Sequence, residues 1–254
     1  MNAVGAYIRS LNPCLPRATW ALELGGLVNA FGNGVVYPFL FIYLHNVRGF
    51  SLATSGLVIG TNAAVALAAG PLAGAVVDRI GSKRTLAGAL VLLTAAFALF
   101  PLVRQPWHAF AVAGLVGLGN GAFWPSYHAL LAAITPAGRR HAGYALQRVS
   151  ANLGFGAGGA VAGFVAATAR PHTFTILFVL DAVTYAVFLG LLAIVPSARA
   201  GEIEAEPTGR TGYREALRHR VFVALLGLNV VFVVAGYALL ETLPVFAKNQ
   251  VGVS

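Results

Sequence analysis

Three carboxylates interrupt stretches of this 254-residue chain that are otherwise apolar: Glu23, Asp181 and Glu241. An ionisable side chain in hydrocarbon costs about 2.5–3.5 kcal/mol on insertion scales, so each is a candidate for carrying a proton or meeting a cation. At about 1.5 Å of helix rise per residue, Asp181 falls nearest the middle of its run, Glu241 toward the outer end and Glu23 near the inner boundary. Depth alone favours Asp181; Glu241 is a proton-site candidate as an acid able to alternate between charged and neutral forms, with a residue wetted by outer water as the equal alternative. Asp181 has two readings, a proton site or a group that caps or cross-links helices. Glu23 reads first as an interfacial residue paired with Arg17 or a loop arginine, and second as a proton site. Apart from these acids, the apolar runs carry Asn29, Asn33 and Tyr37, among Gly32, Gly34 and Pro38; Trp124, Tyr127 and His128, around Pro125; and Asn62. Aromatic rings with a few polar groups suit an amphipathic organic molecule through stacking or cation–π contact. Packing at proline kinks explains the same residues, and His128 also fits a hydrogen-bonded contact between helices.

The elements that must position these groups follow from composition. The chain is 58% hydrophobic and only 10% charged, against about 25% charged residues in soluble domains. Its mean hydropathy is +0.77. A spanning helix needs roughly 20 mostly apolar residues, and seven stretches qualify: 18–44, 52–77, 85–103, 108–135, 150–169, 174–195 and 221–247. The runs are continuously apolar and lack the two-residue period of a membrane barrel, which predicts an all-α, polytopic transmembrane helix bundle. With the N-terminus inside, thirteen Lys and Arg residues fall in cytoplasmic segments and four (Arg48, Arg104, Arg170, Lys248) outside. Short basic loops stay in the cytoplasm, so this asymmetry predicts a cytoplasmic N-terminus in the cell (inner) membrane. It also accounts for the net charge of +9 without a nucleic-acid partner. The first 17 residues lack the apolar core and cleavage site of a secretory signal. The single cysteine, Cys14, allows no disulfide within one chain. No phosphate-binding G-x-x-x-x-G-K-[ST], H-E-x-x-H or G-x-S-x-G pattern occurs. A non-enzyme without cofactor or metal is expected, driven by an ion gradient.

The undecapeptide GAVVDRIGSKR, residues 74–84, joins the second and third stretches. It resembles the loop signature G-x-x-x-D-R-x-G-x-[KR]-[KR] of the major facilitator superfamily. Gly70 and Gly74 form a small-xxx-small pair that admits another helix. The resemblance implies a conformational gate made by Gly74, Asp78, Arg79, Gly81, Lys83 and Arg84, braced against a second half of the carrier. Further along, GLGNGAFWP (117–125), Gln147-Arg148 and Asn152-Leu153-Gly154 resemble helices four and five of bacterial multidrug-efflux members. The glycines Gly154, Gly158 and Gly159 are similar to an antiporter signature, G-P-x-x-G-G, with Phe155 in place of the proline; helix packing through Gly154 and Gly158, or Gly159 and Gly163, is the competing reading. Leu115 and Ala133 stand where many proton-coupled relatives carry an arginine and an acid, which leaves the usual coupling arginine absent.

The longest polar interval lies between the sixth and seventh stretches. The resemblance therefore implies an N-terminal six-helix half (1–196) made of two inverted three-helix repeats, a cytoplasmic linker (197–220) and the first helix of a truncated C-terminal half (221–254). Residues 37–51 and 240–254 align without gaps and share Leu40/Leu243, Asn46/Asn249, Gly49/Gly252 and Ser51/Ser254, an echo of that repeat. The expected function is export of a small amphipathic molecule by alternating access, coupled to an ion, preferably the proton. A proton-coupled metabolite importer and a non-transporting fragment are the alternatives. The expected partners are the bilayer, the substrate, the coupling ion and the missing or partner half.

Overall fold

The computed structural model describes residues 15–166, 172–197, 218–232 and 235–236, so Glu241 and most of the linker lie outside the described residues. Helix α1 (Arg17–Ile42) runs into one π-helical turn, Tyr43–Val47. Helix α2 (Leu52–Ile80) starts where Ser51 Oγ accepts the Thr54 N–H at 3.0 Å, an N-cap that satisfies one of the helix's free donors. It stops at Gly81, whose φ of 89° and ψ of 152° suit glycine alone. Helix α3 (Ser82–Leu99) follows at once. Helix α4 (Pro106–Ile134) opens on a proline, whose missing N–H costs nothing in the first turn. After a 3-10 turn come α5 (Arg140–Val165) and α6 (His172–Ile194). All of these belong to a first compact unit, Met1–Glu202; the second, Ile203–Ser254, contributes α7 (Arg220–Phe232).

Sequence and structure part company at α5, which begins at Arg140 and not near residue 150. His141, Gln147 and Arg148 are polar but good helix formers, and hydropathy cannot see a helix that extends past the lipid. On length and composition α1, α2, α3 and α6 qualify as membrane spans, whereas α4 and α5 do not. Those two, 29 and 26 residues long, dilute their apolar surface with glycine and polar groups. They also line the cleft described below.

The packing obeys an exchange rule. Helix α1 packs on α5 and α6, α4 packs on α2 and α3, and α3 meets α6. Exchanging α1 with α4, α2 with α5 and α3 with α6 returns these contacts, while the direct contact of α2 with α3 has no equal between α5 and α6. Both crossed pairs close through glycines four residues apart. A Cβ on Gly154 would sit 2.6 Å from the Leu27 carbonyl oxygen, and one on Gly158 or Gly34 would overlap the carbonyl of Phe31 or Phe155. On the other side, Cβ atoms on Gly117 and Gly121 would lie 2.6 and 2.7 Å from the carbonyls of Asn62 and Ala66. Such contact matters in lipid, where tails are as apolar as leucine and association rests on close packing and on interhelical hydrogen bonds worth about 0.6 kcal/mol on average.

Near the π-helical turn an aromatic stack joins α1, α3 and α6. Phe97 lies 5.4 Å from Tyr185 with the rings 12° apart, and Phe100 lies 4.8 Å from Phe178. Arg48 donates to the Tyr43 hydroxyl and to the Pro101 carbonyl, both at 2.7 Å. Two faces of this unit stay uncovered. Leu67 on α2 and Phe164 on α5 are 80% and 94% exposed, and Cβ atoms on Gly70 and Gly74 would meet nothing within 4 Å.

Candidate functional site

Helices α1, α4 and α5 line a half-open cleft of about 30 Å³. On α1, Glu23, Gly26, Asn29 and Asn33 recur at three- and four-residue steps, the spacing that stacks side chains along one helix face, and all of them line the cleft. Helix α4 supplies Phe123, Trp124 and Tyr127, and α5 supplies Gln147 and Ala151. One wall is therefore acid and amide, the other aromatic.

The acid is the unusual member. Glu23 is 2% exposed, and neither carboxylate oxygen has a hydrogen-bond partner. The Tyr127 hydroxyl stands beside it, without the geometry of a formed hydrogen bond. Gly26 makes this approach possible, since a Cβ there would come within 2.7 Å of that hydroxyl. The expected pairing of Glu23 with Arg17 does not form, because the carboxylate turns inward to the cleft. An unpaired buried charge is costly, so the Glu23 carboxyl needs either a proton or a cation beside it. The aromatic wall offers the matching surface: Phe123 stacks on Tyr127 at 5.7 Å, and the half-exposed Trp124 stacks on His128 at 5.7 Å.

Asn33 Nδ2 donates to Asn29 Oδ1 at 3.3 Å, and the Tyr185 hydroxyl of α6 donates to Asn33 Oδ1 at 2.8 Å. Three other sequence candidates stand apart from the cleft lining. The Tyr37 hydroxyl accepts from Asn120 Nδ2 at 3.0 Å and ties α1 to α4. Asn62 presents its backbone to Gly117. His128 backs Trp124 from behind. Asp181 is fully buried on the α6 face turned to α1. Phe123, Gln147 and Ala151 had not been singled out for the cleft. Gln147 was hidden by the late start assigned to α5, and the four-residue step from Gln147 to Ala151 is the signal that an earlier start would have revealed.

The loop of residues 74–84 divides its basic groups. Asp78, Arg79 and Arg84 are exposed. Lys83 does not join Asp78: its ammonium donates to the carbonyl oxygens of Ala193, at 3.2 Å, and of Val195. A cation there complements the negative end of the α6 dipole. Gly154 and Gly158 serve close packing, and a Cβ on Gly159 would stand 3.6 Å from the Gly34 carbonyl oxygen.

A family model described as Major Facilitator Superfamily matches residues 22–254. The uncharacterized MFS-type transporter YttB of Bacillus subtilis is 32% identical over 176 residues, which cover 68% of this chain and 43% of that protein. The multidrug resistance protein MdtH of Yersinia enterocolitica is 26% identical over 221 residues, 87% of this chain and 52% of its own length. The chain thus spans about half the length of these curated relatives. Among solved structures, a bacterial homologue of the human drug peptide transporters PepT1 and PepT2 superposes with a TM-score of 0.63 at 22% identity, over 88% of this chain and 50% of that one. A POT family transporter in complex with 5-aminolevulinic acid gives 0.64 at 18% identity, over 87% and 46%. At these identities the structural likeness speaks for the fold.

Proposed function

This chain belongs to the Major Facilitator Superfamily, and from that premise we propose that it forms the N-terminal half of a secondary transporter that exports small amphipathic organic cations. The protein is membrane-embedded. The basic-residue asymmetry supports a cytoplasmic N-terminus in the inner membrane, and the MdtH relatives, named for multidrug resistance, support export. The observation that carries the reading is Glu23: a buried carboxylate with both oxygens unpartnered, facing an aromatic wall across a half-open cleft. A ring system would stack on Phe123 and Trp124 while its cationic nitrogen meets Glu23. Transport would follow by rocking of two halves about this cleft, driven by an ion gradient. The uncovered faces of α2 and α5 are where the second half would seat.

Ethidium fluorescence with the chain in lipid nanodiscs tests the site. Glu23→Gln should weaken binding of this aromatic cation at least tenfold, since a hydrogen-bonded charge interaction is worth about 1.5–3 kcal/mol and 1.4 kcal/mol is tenfold. Equal affinity in the two proteins would remove the cation site. Accumulation of ethidium by intact cells carrying the complete transporter would reject export.

A further inference from the structure

Two buried acids flank one pair of asparagines. Glu23 lines the cleft, whereas Asp181 on α6 does not. Asp181 presses on α1 at Gly32, where any Cβ would collide with the Asp181 carboxyl and the Thr184 hydroxyl. Thr184 Oγ1 donates to the Asp181 backbone carbonyl at 2.7 Å and lies 3.3 Å from Oδ1, while Oδ2 has no partner. One turn on, at the i+4 spacing that puts it on the same face, Tyr185 donates to Asn33, and Asn33 to Asn29. Both asparagines line the cleft. A polar strip therefore runs from the cargo site to Tyr185, one turn of α6 from Asp181.

No cationic side chain compensates Asp181 among the described residues. Helix α1 faces this region with Gly32, Asn29, Asn33 and, toward Tyr185, Tyr37. Helix α3 presents Phe97, stacked on Tyr185. Tyr43 and Phe100 pack on Phe178, a turn before the acid. Lys83 holds carbonyls at the far end of α6, about 18 Å along the helix from Asp181 at 1.5 Å per residue. Arg48 is held at the other end by Tyr43 and Pro101. Asp181 lies near the middle of α6, where a bare carboxylate is least tolerated.

Building on the cargo reading above, we infer that Asp181 is the site of the coupling proton and that Asn33 and Tyr185 report cargo to it. A cationic cargo donating to Asn33 Oδ1 shares that oxygen with Tyr185, competes for its electron density and loosens the Tyr185 bond. The loosened Tyr185 O–H turns to Asp181 Oδ2, and a donor there lets the carboxylate stand without its proton. The Asp181 O–H bond breaks, its electron pair stays on the carboxylate and the proton leaves to water. Cargo and proton thus exclude one another without sharing a site.

The test adds ethidium to the chain in nanodiscs in weakly buffered solution with a pH-sensitive dye. The native chain should release about one proton per ethidium bound, with affinity changing by up to tenfold per pH unit, the slope of a single linked proton. Asp181→Asn should bind ethidium and release fewer protons than the native chain by the share that Asp181 carries, keeping only the pH dependence that Glu23 brings. Tyr185→Phe should keep the carboxyl and cut the release several-fold, which decides the matter if Asp181→Asn does not fold. Undiminished release in either folded variant overturns the inference, as does binding that depends on sodium at fixed pH. Infrared difference spectra need no cargo: a protonated-carboxyl band present in the native chain and missing in Asp181→Asn is expected. A native chain without that band refutes the proposal even if ethidium fails to bind and the cargo reading falls with it.

Discussion

Two glycines two residues apart on α5 should respond to alanine with opposite sign. Gly158 lies against α1, where a Cβ would overlap the Phe31 carbonyl oxygen and stand 2.9 Å from both the Phe31 carbonyl carbon and the Val35 nitrogen. These are backbone atoms of a helix and cannot swing aside, so the helices must part along a contact that also involves Gly154 and Gly34. Gly156 points away from α1 and meets nothing within 4 Å. Each substitution gains helix propensity of up to about 1 kcal/mol, so subtracting one variant from the other removes that contribution. What remains is the overlap, about 1–3 kcal/mol for an added methyl in a packed site, or about 5- to 150-fold in the unfolding equilibrium at 1.4 kcal/mol per decade. Unfolding of Gly156→Ala and Gly158→Ala in lipid nanodiscs, followed by tryptophan fluorescence, measures the difference. Gly158→Ala as stable as Gly156→Ala to within about 0.5 kcal/mol, the additivity error of such measurements, would show that α1 and α5 do not meet through their backbones.

Gly81→Ala should destabilise the α2–α3 junction by about 1–3 kcal/mol, because the backbone there adopts a region that costs other residues that much; thermal melting against the native chain gives the value, and an unchanged midpoint would contradict the geometry. Asp78→Asn should leave stability within about 0.5 kcal/mol, as for surface positions generally, since Asp78 is exposed. In the complete carrier the same change should reduce flux several-fold if the carboxylate braces a second half, and undiminished flux would remove Asp78 from the gate.

The apolar lengths were legible because each run obeys a single rule, enough residues to cross about 30 Å of hydrocarbon. Helix ends were less so: α5 projects ten residues further than hydropathy allows, from Arg140 instead of residue 150, because polarity and helicity are separate properties. Glu23, Asn29, Asn33, Trp124 and Tyr127 line one cleft; spacing puts the α1 residues on one face and the α4 residues on another, but not the two faces together. Tyr37 continues the same stripe of α1 yet bonds Asn120, since which neighbour a stripe meets at each level depends on the crossing of helices. The inward aim of Asp181 was equally hidden, as α6 is apolar around its whole circumference and carries no periodic mark of its buried side. Lys83 could be placed at a helix end from the sequence, but not at the end of α6, 110 residues away.

The exchange rule relating α1 to α4 has a further consequence. Two equivalent positions in the architecture have diverged completely in what they display: one shows an acid and two amides, the other three aromatic rings. A guest entering between them meets a polarised surface and has one favourable way round. Positional isomers that differ only in which end of a flat molecule bears the amine should therefore be sorted by this cleft, although their size, charge and greasiness are the same.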